Sequence, residues 1–337
     1  MASESQASTV SGPTGGHWSN ARESGSLAGL RLLWGVHRLL GRRALSLLLK
    51  PVVVYFIAVR TQARRGAWQY LQAHYQRFPE RWQRAPGRLD LYRQFREFAE
   101  SVVDKLLAWH LEIDADEFHQ VNPAATEKLL NDPRGQLIIG SHLGNIEYCR
   151  GYMHRYESKV VNILVYERHA GNYVEMMRRM NPESRINVYQ VDEFDITTIL
   201  LLKEKIEAGQ WVFIAGDRIP LSGTERTVEV EFLGRPTRLP IGPYLLAKAL
   251  QCPVWLMFSY KNYGGSDHRL YFEVVEYSEQ VKLPRKQRDA ALQSLAQGYA
   301  NHLERICRDA PYQWFNFYDY WPAPEAGSTA REAVNHE

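Results

Sequence analysis

Cysteine is scarce in this chain. There are three, Cys149, Cys252 and Cys307, odd in number and with no CxxC pair among them. That excludes a disulfide-stapled scaffold and a cysteine zinc site, and it fits folding in a reducing compartment. No HExxH pair is present to bring two histidines onto one helical face around a metal, and no GxSxG elbow to expose a serine nucleophile. Neither a metal nor a cofactor is expected. The formal net charge is only +3 over 337 residues, too small to mark a nucleic-acid-binding protein.

Acid is missing where base is abundant. From Ser24 to Pro79 there are nine Lys or Arg and no Asp or Glu. Within this region Ala44 to Val59 forms an apolar run of sixteen residues, interrupted by Lys50-Pro51. A straight spanning helix needs about 20 apolar residues. Pro51 is expected to kink the run and Lys50 to snorkel. Arg42 and Arg43 precede it; Arg60, Arg64 and Arg65 follow. Residues 27–65 therefore read as a membrane-anchoring segment, either a short span or a bent helix lying on anionic lipid. Basic residues on both flanks favour the second, because a spanning helix usually biases charge to one side. A buried core helix with a solvated basic edge is the plain alternative. Residues 1–26, rich in Ser, Gly, Thr and Ala, read as a disordered tail and residues 326–337 as a flexible one.

The remainder has ordinary globular composition, 45% hydrophobic and 23% charged overall. Residues 68–130 read as helical, with Leu91, Phe95, Phe98, Val102 and Leu106 at helical spacing. After the turn at residues 131–135, short continuous apolar runs begin at 136–140, 160–165, 211–215, 254–259 and 270–275. Helical stretches are expected between them at 146–156, 173–180, 196–208 and 243–250. Continuous rather than alternating apolar strands belong to sheets covered on both faces. The expectation is an α/β fold, a single catalytic domain over 70–325 with a mostly parallel central sheet flanked by helices, plus an N-terminal membrane-associated helix.

The first strand runs directly into Ser141-His142-Leu143-Gly144-Asn145-Ile146-Glu147. Open α/β sheets place their sites beyond the carboxyl ends of the strands, so His142 stands where chemistry is expected. On one continuous helix, His142 and Glu147 would point about 140° apart. With Gly144-Asn145 as a turn and Asn145 as the cap of the next helix, Glu147 reaches back to one imidazole nitrogen. The carboxylate then fixes the tautomer and stabilises the imidazolium, while the other nitrogen takes a hydroxyl proton. Taken alone, such a pair is more often structural than catalytic.

The HxxxxE element after a buried strand resembles the lysophospholipid acyltransferase superfamily, and within it the late acyltransferases of lipid A biosynthesis. Gly144 and Glu147 resemble the lipid A type; the glycerophosphate branch usually has a polar residue and Asp there. Further blocks resemble the family in order and spacing: Tyr166-Glu167-Arg168, Gly216-Asp217-Arg218, the stretch from Phe232 to Gly242, Cys252-Pro253-Val254, and Tyr312 to Phe317. The resemblance spans roughly residues 30–320. The stretch at Lys50-Pro51 and the sequence His169-Ala170-Gly171-Asn172 depart from it, which leaves other envelope lipids open as acceptors.

The resemblance implies a glycerol-3-phosphate-acyltransferase-like fold. It implies direct transfer of an acyl chain from a thioester, usually of acyl carrier protein, to a lipid hydroxyl, with no covalent enzyme intermediate. His142 and Glu147 would be catalytic, and Asn145, Arg168, Asp217 and Arg218 would contact substrate, the arginines gripping phosphate. The bland alternative for Arg218 is an ion pair with Asp217. The setting implied is the bacterial inner membrane, with the catalytic domain facing the cytoplasm. Two other functions fit the same residues: an esterase or thioesterase that activates water, and a non-catalytic membrane-docked binding protein.

Overall fold

A computed structural model describes residues 27–108, 118–145, 159–165, 186–190, 195–219, 227–261 and 270–321. Its centre is a seven-stranded sheet. The strands are β1 (Phe118–Gln120), β2 (Gln136–Gly140), β3 (Val161–Val165), β4 (Ile186–Gln190), β5 (Trp211–Ala215), β8 (Val254–Lys261) and β9 (Leu270–Ser278). Their spatial order is β1-β9-β8-β2-β5-β3-β4, and every pairing is parallel except β8 with β9. A separate antiparallel hairpin joins β6 (Thr227–Phe232) to β7 (Arg235–Pro240).

The continuous apolar runs are explained by what covers the sheet. Strand β2 is buried at all five residues. Leu137 and Ile139 enter one core with Val212, Ile214, Leu256 and Phe258. Ile138 enters a second core on the opposite face with Trp211, Phe213, Trp255 and Met257. Alternation of side chains about a strand axis sends neighbours into different cores, so neither position tolerates a polar residue. Each such large side chain contributes about 1.5–3 kcal/mol on burial.

Among the described residues, the segment read as helical over 68–130 holds three helices, a short 3₁₀ turn at Pro79–Arg81 and one short strand. Helix α1 (Leu27–Val59) is followed by α2 (Thr61–Arg77), α3 (Arg88–Ala108), the short edge strand β1 and α4 (Pro123–Asn131). Pro79 and Pro86-Gly87 separate α2 from α3, and the Asp90 carboxylate accepts from the Gly87 backbone N–H at 2.7 Å to organise the start of α3. Helices α5 (Ile196–Glu207), α6 (Gly242–Leu250) and α7 (Arg288–Asp309) complete the described layers. Asn122 and Asp195 cap α4 and α5 with side-chain oxygens. The stretch from Phe232 to Gly242 contains β7. Leu233 and Gly234, both at positive φ, close the hairpin between β6 and β7.

Helix α1 leaves helical geometry at Gly41 (φ 75°, ψ 178°), not at Pro51 as expected. Proline removes the bond to the carbonyl four residues back; here Pro51 and Leu47 lie together on the outward face, and the helix absorbs the loss. Among the described residues no single helix is long and apolar enough to cross a membrane. Arg38–Val59 and Thr61–Arg77 meet that test only as a pair bent by 96°. The expected helices 146–156 and 173–180 and both expected tails lie outside the described residues.

One buried histidine makes the fold pH-sensitive. Trp82 Nε1–H donates to His74 Nδ1 at 2.9 Å, so His74 Nε2 carries the proton and donates to the Cys307 carbonyl at 2.9 Å. Burial lowers the His74 pKa from 6.5 to about 4. Between those values the unfolded chain binds a proton that the folded one does not, so stability falls as pH falls. The expected loss by pH 4 is about 3 kcal/mol. Thermal unfolding monitored from pH 7 to 4 should show it, and His74→Gln should flatten the slope while lowering stability at pH 7.

Candidate active site

The site is assembled by sheet register. Strands β2 and β5 are neighbours, with Gly140 opposite Ala215. Two residues further along each strand stand His142 and Asp217. Adjacent parallel strands lie about 4.8 Å apart, so equal extension beyond a matched pair delivers the two side chains to one place. His142 Nδ1 is 2.8 Å from Asp217 Oδ1, and the His142 backbone N–H donates to Asp217 Oδ2 at 2.9 Å.

Asp217 is fully buried, and a third donor meets it there. Trp314 Nε1–H, also fully buried, donates to Oδ2 at 3.0 Å. Burial by itself would raise the carboxyl pKa. The charge and hydrogen bond of His142 and the nearby charge of Arg218 outweigh it and hold the group down at about 2. An ionised carboxylate only accepts, so Nδ1 must carry the proton of the imidazole. The lone pair of neutral His142 is therefore on Nε2, the arrangement of a general base with a fixed tautomer.

The loop after β2 is held by a strand-like seam to the aromatic segment at 312–317. Leu143 bridges Trp314, the Gly144 N–H donates to the Gln313 carbonyl at 2.8 Å, and the Phe315 N–H donates to the His142 carbonyl at 3.1 Å. Gly144 has a φ of 63°, and a Cβ there would lie 1.9 Å from the Ser259 carbonyl oxygen. Left-handed backbone and close approach both require glycine. The next residue, Asn145, is buried. Its N–H donates to the Ser259 carbonyl at 3.0 Å and its side-chain amide to the Ser101 carbonyl of α3 at 3.2 Å.

The residues singled out in the sequence are distributed as follows. His142, Asn145, Asp217 and Arg218 converge at the carboxyl ends of β2 and β5. The expected turn at Gly144 is present. Asp217, expected to face substrate, instead holds the histidine. Arg218 Nη2 donates to the Phe315 carbonyl at 3.0 Å. Glu147 and Arg168 lie outside the described residues, as does the helix Asn145 was expected to cap. Nδ1, the nitrogen on which an orienting carboxylate acts, is engaged by Asp217 from the neighbouring strand.

Trp314 and Gln313 were marked only as part of an aromatic block; nothing in their spacing points to a carboxylate 97 positions upstream. Phe98, Phe315 and Phe317 form an aromatic cluster beside this seam, with ring centroids 5.0–6.4 Å apart. The described residues contain no group of three His, Cys, Asp or Glu placed to hold a metal ion.

A mostly parallel α/β sheet thus carries, beyond its central strands, a buried carboxylate hydrogen-bonded to a partly exposed histidine, an arrangement chemically suited to a general base. The family model for bacterial lipid A biosynthesis acyltransferases matches residues 32–322, and the chain belongs to that family. No curated protein matches the chain individually. Family membership makes it a lipid A-type acyltransferase in general terms.

Trp314→Phe keeps an aromatic ring in the cluster but removes the third donor to Asp217 and leaves a small cavity. It should destabilise the protein by about 1.5–3 kcal/mol in denaturant unfolding. Gly144→Ala should cost at least as much and should reduce activity, because the loop carrying His142 must shift off Ser259.

Proposed function

We propose that this protein transfers a fatty acyl chain from a thioester of acyl carrier protein to a hydroxyl of a lipid A-type glycolipid, with His142 as the general base. The observation that carries this reading is the buried, ionised Asp217 on His142 Nδ1, which leaves Nε2 as the basic nitrogen. In this reading Nε2 takes the proton of the acceptor hydroxyl as its oxygen attacks the thioester carbonyl. The C–S bond then breaks, and the imidazolium returns the proton to the departing sulfur. No enzyme nucleophile is needed. Described Cys252 and Cys307 fit that account, since both are buried and burial raises their thiol pKa values.

Asp217 acts here as a positioning residue that fixes the tautomer and offsets the imidazolium charge. Glu147 supplies a second negative charge to the imidazolium. Arg168 and Arg218 grip substrate phosphate, and Arg218 also holds the Phe315 carbonyl. Asn145 sets the path of the loop through the Ser101 and Ser259 carbonyls, beside the substrate. The working site is the cytoplasmic face of the bacterial inner membrane, where both donor and lipid acceptor are present.

Purified protein given labelled acyl–acyl carrier protein and a lipid A precursor should transfer label to the lipid. His142→Ala should abolish transfer while leaving the protein folded by circular dichroism, with a lowered thermal midpoint because buried Asp217 loses a partner. Asp217→Asn should lower kcat by about 10²–10⁴-fold with a much smaller change in KM. Free fatty acid formed faster than acylated lipid, with acceptor present, would instead identify a hydrolase.

A further inference from the structure

Helix α1 has two faces that make opposite demands. On the inner face Leu45, Leu49 and Val53 are buried, the first two packing with Val103 of α3. Beside them Arg42 Nη1 lies 2.5 Å from Asp104 Oδ1 and Arg42 Nη2 3.8 Å from Glu100, both on α3. Lys261 Nζ of β8 lies 3.8 Å from the other oxygen of Asp104, whose side chain is fully buried. On the outer face Leu39, Leu40, Leu47, Val54, Tyr55 and Val59 are 53–83% exposed. Exposed Arg38, Arg43, Lys50 and Arg60 are interleaved with them, and no acid occurs from Ser24 to Pro79.

These faces argue against a threaded helix. A span is surrounded by hydrocarbon or by apolar neighbours, whereas α1 is joined from Arg42 to Leu49 to α3, which carries Glu97 paired with Arg93, Ser101, and Asp104 paired with Arg42 of α1. Drawing that layer into the hydrocarbon would expose several charges. Half-immersion meets both demands. The outer face sinks to the depth of the first acyl carbons, Lys50 and Arg43 extend to headgroups, and α3 stays on the aqueous side. The 96° bend into α2 turns the chain back towards the domain, and Arg64 donates to the Ile57 and Ala58 carbonyls at that bend.

We infer that α1 from Arg38 to Val59 lies in the plane of one leaflet of an anionic bilayer, and that it docks the domain without crossing. The inference rests on the membrane setting proposed above and fixes its geometry. Because α3 also carries the Ser101 carbonyl that holds Asn145, the docked helix and the His142 loop keep a fixed separation.

Two measurements test it. An epitope is fused ahead of Met1 and the full chain is made in inner-membrane vesicles sealed with the catalytic domain outward. Cleavage of that domain by added protease reports the orientation. An in-plane α1 leaves the epitope outside too, so it should be cut without detergent at a similar rate. Protection until detergent is added would overturn the inference in favour of a span and leave membrane attachment standing.

Separately, full-length protein diluted onto phosphatidylglycerol vesicles should bind at least tenfold better than onto phosphatidylcholine vesicles. Arg43→Glu with Lys50→Glu should erase that preference, and Leu47→Glu with Val54→Glu should lower binding to both. These positions are exposed, so unchanged thermal unfolding would show that the variants fold. Failure of the parent to bind either vesicle would overturn both this inference and the membrane setting. Loss of a dimer in sedimentation for Leu47→Glu with Val54→Glu, with vesicle binding unchanged, would assign the face to a second copy.

Discussion

A single buried carboxylate organises the functional end of this molecule. Asp217 accepts from the His142 ring, the His142 backbone and the Trp314 indole. These donors belong to the loop after β2 and to the aromatic segment after α7. A carboxylate removed from water is stable only when its oxygens are engaged by donors and positive charge. The need to satisfy it therefore ties two chain segments to the end of β5. The histidine tautomer, the loop path and the position of Trp314 are consequences of one electrostatic demand.

The second organising element is α3. Its flanks bury Gln94, Glu97, Ser101 and Asp104 as well as Leu91 and Phe95. Gln94 Nε2 donates to the Trp314 carbonyl at 3.2 Å, and Asp90 accepts from the Tyr312 hydroxyl at 2.9 Å. The Ser101 carbonyl accepts from Asn145, and Asp104 pairs with Arg42 of α1. One helix thus touches the aromatic segment, the His142 loop and the N-terminal helix. Its buried face is mixed: Leu91 and Phe95 are buried as their helical spacing suggests, while Phe98 is 37% exposed beside Phe315 and Val103 is more deeply buried than Val102. A helix packed on two sides buries hydrogen-bonding residues as readily as apolar ones when partners are close.

Much of the architecture was legible for local reasons. The strands at 136–140 and 211–215 were readable because a sheet covered on both faces favours apolar residues at successive positions. The helices at 196–207 and 242–250 ended within a residue or two of expectation. Gly144 was readable as a turn, since glycine before a short polar residue is a backbone signal. Strand β4, the β6–β7 hairpin and helix α7 were passed over. The hairpin alternates exposed charges such as Glu229 and Arg238 with buried Val230 and Leu239, a weaker signal than a continuous run. The break expected at Pro51 occurred at Gly41, where glycine has no side chain to resist a positive φ, while Pro51 lies exposed within the helix.

The sequence by itself determined that His142 follows a buried strand, that Asp217 ends another, and that basic and apolar residues crowd the N-terminal region without acids. Each property depends on residues within a few positions of one another. Only the tertiary structure decided that β2 and β5 lie side by side, and hence that Asp217 takes the histidine nitrogen across 75 positions. It alone decided which face of α1 is covered by α3. Strand order and helix facing are set by the joint packing of the two cores, a long-range outcome that no local spacing encodes.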